Sequence, residues 1–421
     1  MNDERIYNCI VIGAGASGLF FAANTRVSSI REGDCFDASS VDYGYGSPSL
    51  ILEKTARPGS KLLMSGGGRC NITHSGSIKD FITRYGEHGK NIRRILYKHN
   101  NLELINWLRD GGINLTTEED GRVFPSSMKA QDILDFLLKQ SRENGFEIRT
   151  NSPVTAIERC GEFWRVHISG ADGGKVTAAG KQKSFLGKHI IIATGGCSYP
   201  RTGSDGSMFN VLRRDLITEI TDLAPALSPI SVDDYPYADL SGVSIDGSVS
   251  KIADRKTQSI GNILFTHNGL SGPAIINISG SLSTGDKIKI NYLYPMSYDA
   301  VFRTLQEAML GNKSQLANVV SQTFDLPKNF CRVLAERAGS STKAFARLLA
   351  EDELIVKSSG SFDSAMVTRG GVSLDEVDLS TMELIKCPGI FVIGEALDID
   401  GETGGYNLQF AYSSALAVTF P

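Results

Sequence analysis

The sequence of this 421-residue chain contains no long hydrophobic run. Its N-terminus carries Asp3 and Glu4, and the first apolar run, Cys9 to Ile12, is only four residues long. A transmembrane helix needs about 20 apolar residues, and a secretory signal needs an apolar stretch of about 7 to 15. We therefore expect neither a membrane span nor a signal peptide, and we predict a cytoplasmic protein with no membrane partner.

An excess of basic charge is also absent. The chain contains 43 Lys and Arg against 47 Asp and Glu, which gives a net charge of −4, and it shows no continuous Lys/Arg stripe. Domains that bind nucleic acids are usually basic, because they neutralise phosphates. The composition therefore predicts no nucleic-acid partner. It leaves the oligomeric state unknown.

Cysteine is sparse, and its spacing follows no ligand pattern. The seven cysteines are odd in number and scattered, and they form no CxxC. Disulfide frameworks and structural zinc sites need closely spaced, recurring cysteines. The pattern argues against both, and we predict no metal site.

The most informative stretch is CIVIGAGASG, from Cys9 to Gly18. Its apolar residues predict a short buried parallel strand, and Gly13, Gly15 and Gly18 predict a tight turn from that strand into a helix. In this fingerprint the first glycine permits the turn, the second lets a pyrophosphate approach the backbone, and the third lets the helix pack closely. Phosphates would lie at the unpaired N–H groups of the helix, where its dipole favours negative charge. The stretch therefore predicts a dinucleotide cradle.

An acidic residue at the end of the next strand supplies the third part of this fingerprint. The strand SLILE ends at Glu53, whose carboxylate can accept the ribose hydroxyls. Glu53 lies 35 residues after Gly18, more than the usual spacing, and we attribute the excess to a polar insertion at residues 31–47. Asp37 and Asp42 in that insertion are alternatives, although neither ends a predicted strand.

A second candidate contact is the glycine run from Ser65 to Gly68, which is followed by Arg69, Cys70 and Asn71. Glycines let backbone amides approach a planar or anionic ligand, and the Arg and Asn side chains supply directed hydrogen bonds. A flexible linker is the alternative reading of such a run. We favour ligand contact, because a linker does not normally include an Arg-Cys-Asn triplet.

The remaining pattern predicts a nucleotide-binding sheet that is interrupted and later completed. Helical periodicity covers 79–110 and about 129–143, and a buried strand at 188–194 runs into a second glycine-rich turn, 195–206. Short strands follow at 220–293, four short amphipathic helices at 297–351, and a helix from about Tyr406. We expect a discontinuous nucleotide domain (1–205 and 362–421), an inserted β-rich domain (206–296 and 352–361) and a helical subdomain (297–351).

Four strings together, KLLMSGGGRCNIT, ATGGCSYPRTGSDG, LFTHNGLSGPA and GEALDIDGETGGYNLQFA, resemble the YhiN/BaiN-like FAD-dependent flavoproteins. This family includes aminoacetone oxidase and 3-dehydro-bile-acid Δ4,6-reductase, and the resemblance extends from Ile10 to Ala417. It implies an α/β fold, with a Rossmann-type, glutathione-reductase-like FAD domain, an inserted β-barrel-like domain and a small helical subdomain. It also implies an FAD-dependent oxidoreductase.

The resemblance further implies which residues hold FAD. His74 departs from it, because the family usually has Asn there. The pyrophosphate would lie at Gly13, Gly15, Ala16, Ser17 and Gly18, the adenosine ribose at Glu53 with Lys54 beside it, and the adenine at the main chain of Val154. Lys61, Arg69, Cys70 and Asn71 would line the ribityl and flavin side, and Ala193, Thr194 and Gly195 the nucleotide. Gly394, Glu395, Gly405, Tyr406, Asn407, Leu408 and Gln409 would hold the ribityl phosphate and the pyrimidine edge of the flavin.

We expect hydride transfer to or from flavin N5 on a small-molecule substrate, since the cofactor itself carries such chemistry. The enzyme would be either a reductase that uses NAD(P)H as a transient reductant or an amine oxidase. The candidates for substrate contact are His267, Tyr199, Arg201 and Tyr406. His267 could instead make a loop or cap hydrogen bond, and Tyr199 and Arg201 could simply brace the glycine-rich turn. A non-enzymatic flavin-binding or redox-sensing protein is the second hypothesis. An FAD-dependent tRNA modifier, which the acidic charge balance disfavours, is the third.

Overall fold

The computed structural model describes residues 5–25, 48–169, 183–254, 256–311, 314–339 and 341–420. The predicted insertion 31–47, with Asp37 and Asp42, lies outside the described residues. The chain divides into two compact units. The nucleotide unit comprises Met1–Leu223 with Val367–Pro421, and the barrel unit comprises Ala224–Met366.

The strands are short and mostly apolar. In chain order they are β1 (Ile6–Ile12), β2 (Ser49–Leu52), β3 (Thr73–His74), β4 (Leu115–Thr117), β5 (Arg122–Pro125), β6 (Phe146–Arg149), β7 (Val154–Cys160), β8 (Phe163–Ile168), β9 (Lys183–Ile192), β10 (Ala224–Ala226), β11 (Ile230–Val232), β12 (Ser244–Lys251), β13 (Gln258–Phe265), β14 (Gly269–Ser271), β15 (Lys287–Asn291), β16 (Asp352–Ser358), β17 (Val367–Arg369), β18 (Val377–Asp378), β19 (Glu383–Leu384) and β20 (Ile390–Val392).

The helices connect these strands and cover the main sheet. They are α1 (Ala16–Asn24), α2 (Ser60–Met64), α3 (Ile78–Thr83), α4 (Arg93–Lys98), α5 (Asn101–Asp110), α6 (Ala130–Glu143), α7 (Ser207–Asp215), α8 (Pro273–Ser279), α9 (Tyr298–Met309), α10 (Leu316–Phe324), α11 (Lys328–Ala338), α12 (Thr342–Ala350) and α13 (Tyr406–Ala417).

The nucleotide unit is built on a sheet with a parallel centre. Its strands run in the order β20-β9-β1-β2-β6, all parallel, with Ile10 of β1 opposite both Leu50 and Ile190. Continuous apolar runs form these strands because both faces of a parallel sheet are covered by helices. The N-terminal half of β9 pairs instead with β8, which forms a hairpin with β7.

Helices α1 and α13 pack against each other beside this sheet, so the first and last parts of the chain meet there. Phe20 of α1 lies edge-to-face against Tyr412 of α13, with ring centroids 5.5 Å apart, and near Trp107 at 6.2 Å. This packing places the N-terminal ends of both helices in the same unit.

The barrel unit contains a closed six-stranded barrel in the order β11-β14-β13-β12-β15-β16. The four helices α9 to α12 fall within 297–351, where the sequence predicts four amphipathic helices. Phe265, Tyr292 and Phe330 meet in its core, where the rings of Tyr292 and Phe330 are 4.9 Å apart.

The observed unit boundary lies after Leu223, whereas the sequence predicts it after residue 205. The reason is that α7 packs on β7 of the nucleotide sheet, and Ile157 N–H donates to Asp215 Oδ2 at 2.9 Å. The predicted helical stretch 79–110 is also divided into α3, α4 and α5. Within α5, Leu104 and Leu108 are buried, whereas Leu102 is 63% exposed and lies on the solvent side of the helix.

Candidate active site

Gly13 and Gly18 close the turn from β1 into α1. Gly13 has φ +103°, and a Cβ there would lie 2.6 Å from the Ala193 carbonyl oxygen. A Cβ at Gly18 would lie 2.1 Å from the Gly13 carbonyl oxygen. Both positions therefore require glycine for steric reasons, as the fingerprint predicts.

Gly15 differs from these two glycines, because the space beside it is open. Its backbone is extended (φ −81°, ψ −168°), and the one atom within 4 Å of an added Cβ is the Ala193 oxygen, at 4.0 Å. Gly15 is also the N-cap of α1, and no described side chain caps this helix end. The open space and the uncapped N–H groups fit a pyrophosphate bound at the helix N-terminus.

Thr194 lies at the end of β9, next to the cradle. Its Oγ1 is buried and has no hydrogen-bond partner among the described residues. The neighbouring Ala193 N–H donates to Ile12 O at 2.9 Å, which fixes this turn against β1. A buried hydroxyl without a partner is unfavourable, so the Thr194 hydroxyl fits a polar atom of a bound ligand.

Glu53 is buried, and its carboxylate is already held by backbone and side-chain donors. Ala14 N–H donates to Oε2 at 2.9 Å, and the N–H and hydroxyl of Thr55 both donate to Oε1 at 2.7 Å. A carboxylate has about four acceptor positions, so one on Oε2 is left for a ribose hydroxyl. Val154 begins the strand just after Ser152, whose N–H donates to Glu53 O at 2.8 Å.

Lys54 forms an ion pair with Asp205, and its Nζ lies 3.1 Å from Ser207 Oγ. Burial opposes ionisation of Asp205, but hydrogen bonds from Lys54 and Ser207 outweigh it and lower the pKa of this carboxyl. Lys54 therefore anchors the glycine-rich turn 195–206 in this structure. Tyr199 lies in the same turn with φ +54°, and Arg201 is exposed there.

Lys61 and Glu395 form the charged centre of the site. Lys61 Nζ lies 2.6 Å from Glu395 Oε2 and 2.6 Å from Ser198 Oγ, and Ser198 Oγ donates to Glu395 Oε1 at 2.9 Å. The Thr368 N–H also donates to Glu395 Oε1, at 2.8 Å. Four separate chain segments thus meet at one carboxylate.

Asn71 joins the glycine-rich loop to the start of α13. With its amide oxygen facing Gly405, it accepts from the Gly405 N–H at 3.1 Å and donates to Thr73 O at 2.9 Å. The Thr73 hydroxyl donates to Gln409 Oε1 at 2.6 Å, and Gln409 Nε2 donates to His99 O at 3.1 Å. Three of the predicted residues, Asn71, Gly405 and Gln409, are therefore brought together by α13.

Arg69 and Cys70 face different surroundings. Arg69 NH1 lies 2.9 Å from Glu118 Oε1, and its guanidinium stacks over Phe124 at 4.4 Å. The Cys70 side chain is fully buried, and burial raises the pKa of its thiol to about 12. The thiol is therefore held in its unreactive protonated form.

Tyr406 begins α13 inside a cluster of rings. It stacks on His74 with centroids 5.5 Å apart and meets Phe81 edge-to-face at 4.9 Å, and Tyr85 donates to the Tyr406 carbonyl at 2.7 Å. Burial raises the pKa of the Tyr406 hydroxyl. Its ring therefore fixes the position of the helix start.

The remaining predicted residues of the C-terminal segment are held by local bonds. Asn407 Oδ1 accepts from Gly401 N at 2.8 Å, and its Nδ2 donates back to Gly401 O at 2.8 Å. Gly394 has φ +66°, and its N–H donates to Ser414 Oγ at 3.0 Å. Leu408 is half-buried against the core.

His267 lies in the barrel unit, whereas the other candidates for substrate contact, Tyr199, Arg201 and Tyr406, lie in the nucleotide unit. It is exposed on the turn between β13 and β14, where Thr266 N–H donates to Gly269 O at 2.9 Å. Its role stays a prediction.

Sequence reasoning missed several residues that position the site. Thr368 Oγ1 accepts from the N–H groups of Cys197 and Ser198, at 2.6 and 3.0 Å, across 170 positions of the chain. Thr73 donates its hydroxyl to Gln409 of α13, and Ser414 of α13 accepts from the Gly394 N–H. Thr73 is the last residue of KLLMSGGGRCNIT, one of the four strings that carry the resemblance. No sequence motif points to Thr368.

Comparison with known proteins shows the family to which the chain belongs. The family model described as "HI0933-like protein Rossmann domain" matches residues 7–419. The chain belongs to the HI0933-like Rossmann family. It is an FAD-dependent oxidoreductase, and the fold and family expected from the four strings are confirmed.

Two relatives of this HI0933-like protein match almost along their whole length. It is 28% identical over 431 residues to the ribosomal RNA dihydrouridine synthase of Escherichia coli, covering 98% of this chain and 96% of that one. It is 27% identical over 425 residues to the 3-dehydro-bile acid Δ(4,6)-reductase of Clostridium scindens, covering 96% of each. A solved 3-ketosteroid-Δ4-(5α)-dehydrogenase from Rhodococcus jostii has a TM-score of 0.46 at 13% identity, covering 98% of this chain and 96% of that one.

The residues of this HI0933-like protein fit FAD. The open space at Gly15, the uncapped α1 and the unpartnered Thr194 hydroxyl provide room, donors and a polar contact where a pyrophosphate would lie. Within the described ranges, no group of three or more His, Cys, Asp or Glu could hold a metal ion. None of the described helices combines the length and apolar character that crossing a bilayer requires.

Proposed function

We propose that this protein reduces a carbon–carbon double bond conjugated to a carbonyl group. The proposal depends on the kind of bond that is named in the activities of the two relatives. Dihydrouridine is uridine with the ring double bond next to its carbonyl saturated, and a 3-dehydro steroid Δ(4,6)-reductase acts on double bonds extending from a 3-ketone. The substrates differ in size, but the bond that changes is of one kind. Bound FAD supplies the hydride chemistry at its N5.

The residues of the nucleotide unit support this reaction. Cradle residues Gly13, Gly15 and Thr194 would hold the pyrophosphate, and Glu53 the ribose. The N-cap Gly405 supplies no capping side chain of its own, although Asn71 accepts from its N–H, and the start of α13 provides a positive helix end that favours an anion beside it. Lys61 and Glu395 would contact the cofactor, and their mutual ion pair fixes both side chains.

NAD(P)H is the proposed transient reductant. Anaerobic mixing of the FAD-loaded protein with NADH or NADPH should bleach the flavin, and an added cyclic enone should restore its colour faster than buffer alone. If neither NADH nor NADPH lowers the flavin absorbance, the protein is not an NAD(P)H-dependent reductase. Hydrogen peroxide formation from aminoacetone and oxygen would instead support the amine oxidase alternative.

A second candidate substrate is a uridine within ribosomal RNA. The specific observation in its favour is the match to the ribosomal RNA dihydrouridine synthase over 98% of this chain. The same reduced protein distinguishes the two substrates. Reoxidation by a small cyclic enone alone supports the small-molecule reaction, and dihydrouridine formed in unmodified ribosomal RNA supports the RNA reaction. Protein that holds flavin but is reoxidised by neither would favour a non-enzymatic flavin-binding role.

A further inference from the structure

The outer side of α4 and the turn before it carries a concentration of basic side chains. The stretch from Lys90 to Lys98 contains Lys90, Arg93, Arg94 and Lys98 and no acidic residue. All four basic side chains are exposed, and so is Tyr97, at 44%. These five residues are called the α4 basic face below.

The basic side chains of this segment are exposed to solvent, whereas its apolar side chains are buried. Ile92, Ile95 and Leu96 on the other side of this segment are 0%, 4% and 0% exposed and belong to the core of the nucleotide unit. Arg94 and Lys98 are four residues apart within α4, so their side chains lie on one side of the helix, and Lys90 lies in the turn that precedes it. All of these charged groups are exposed to solvent.

These charges have no acidic partner within the described residues. The carboxylates nearest along the chain lie beside histidines, with Glu87 Oε1 3.8 Å from His88 Nε2 and Glu103 Oε1 3.5 Å from His99 Nδ1. By contrast, Arg84, a few residues earlier, is paired with Glu402 at 2.8 Å. Like charges on neighbouring helical positions repel, so a bound anion would stabilise the face.

The aromatic ring adds a second feature of nucleic-acid surfaces. The Arg93 guanidinium lies 5.5 Å from the centre of the Tyr97 ring, which is open to solvent. Lys and Arg bind phosphates without regard to sequence, and exposed aromatic rings stack on unpaired bases. An exposed ring beside cations favours a nucleic acid with unpaired bases over an anionic membrane surface, which attracts a basic segment by charge.

We infer that the α4 basic face binds the phosphate backbone of RNA; the inference rests on the RNA form of the proposed function. Helix α4 packs on α13, whose first residues belong to the candidate FAD site, so the face and that site share one unit. This inference differs from the expectation, drawn from the net charge, of no nucleic-acid partner. A net charge of −4 is a sum over the chain, and it does not reveal four cations that the fold places on one surface.

The test is the salt dependence of binding of a labelled RNA hairpin to the FAD-loaded full-length protein. Replacing Lys90, Arg93, Arg94 and Lys98 together with Gln should weaken binding at least about 10-fold. It should also lower the slope of log affinity against log salt concentration by up to about 2.8 to 3.6, since each phosphate contact contributes about 0.7 to 0.9. Tyr97→Ala should weaken binding to the hairpin loop and leave the slope unchanged.

A matched control removes the same charge elsewhere in the nucleotide unit. Gln at the exposed positions Arg109, Lys129, Lys139 and Arg142 should leave both affinity and slope near those of the wild type. Equal losses in the two variants, an unchanged slope in the α4 variant, or binding to phosphatidylserine vesicles in place of RNA would overturn the inference. Reoxidation of the reduced flavin by a small enone, measured on the same variants, reports separately on the proposed reaction.

Discussion

Replacing Gly15 with Val should weaken FAD binding while leaving the stability of the fold nearly unchanged. The extended backbone of Gly15 accepts a β-branched residue, and a Cβ there meets no atom closer than 4.0 Å. We expect the free energy of unfolding of the FAD-free protein to change by less than about 1 kcal/mol, the size of an N-cap substitution. The isopropyl group would, however, fill the space that a pyrophosphate needs.

The loss of FAD affinity can be estimated from the hydrogen bonds that the N-terminus of α1 would donate to the pyrophosphate. Displacing the pyrophosphate would remove about two hydrogen bonds to a charged group, each worth about 1.5 to 3 kcal/mol. FAD affinity should therefore fall by about 10² to 10⁴. The assay is flavin fluorescence titration of the FAD-free protein, with circular dichroism and thermal melting on the same samples.

Gly18→Ala is the matched comparison. Its Cβ would lie 2.1 Å from the Gly13 oxygen, so the fold itself should be destabilised by about 1 to 3 kcal/mol or more. We expect a lower Tm for Gly18→Ala and a nearly unchanged Tm for Gly15→Val, compared without FAD. A Gly15→Val protein that retains stoichiometric FAD would refute the cradle assignment.

Three further predictions concern single side chains. Glu53→Ala should lower FAD affinity about 5-fold to 150-fold in the same titration, because it removes about 1 to 3 kcal/mol of hydrogen bonding. Asn71→Leu should lower the Tm by several degrees, because the Gly405 N–H loses its acceptor and each 1 kcal/mol shifts the Tm by about 2 to 4 °C. For His189, burial lowers the pKa to about 4, so the folded state resists protonation, and stability should be lost as the pH falls from about 6.5 towards 4. His189→Phe should be more stable than wild type at pH 5, relative to pH 8, by about 1 to 2 kcal/mol in urea unfolding.

Each of these predictions has a contradicting outcome. A larger loss of FAD affinity on replacing Asp37 or Asp42 than on replacing Glu53 would show that the ribose acid is misassigned. An Asn71→Leu protein that melts at the wild-type Tm would show that the Asn71 side chain does not hold the Gly405 N–H. A His189→Phe protein with the same pH dependence as wild type would show that this histidine is not protonated on unfolding.

The sequence determined the cradle because steric constraints on a glycine act over a few residues. The strand, the turn and the helix around Gly13, Gly15 and Gly18 are where the fingerprint puts them, and α13 begins at Tyr406 as the paired glycines before it indicate. Continuous apolar runs likewise indicate buried parallel strands wherever both faces of a sheet are covered. These are local properties, and one sequence is enough to read them.

Only the tertiary structure decided what meets at the site. The Thr73–Gln409 hydrogen bond joins residues 336 positions apart, and the Lys61–Glu395 ion pair joins residues 334 positions apart. The cations of the α4 basic face lie within nine residues of sequence, but only the fold shows that they are exposed while Ile92, Ile95 and Leu96 between them are buried. Such arrangements depend on how segments pack, and packing is set by burial over the whole unit, which no short stretch of sequence contains.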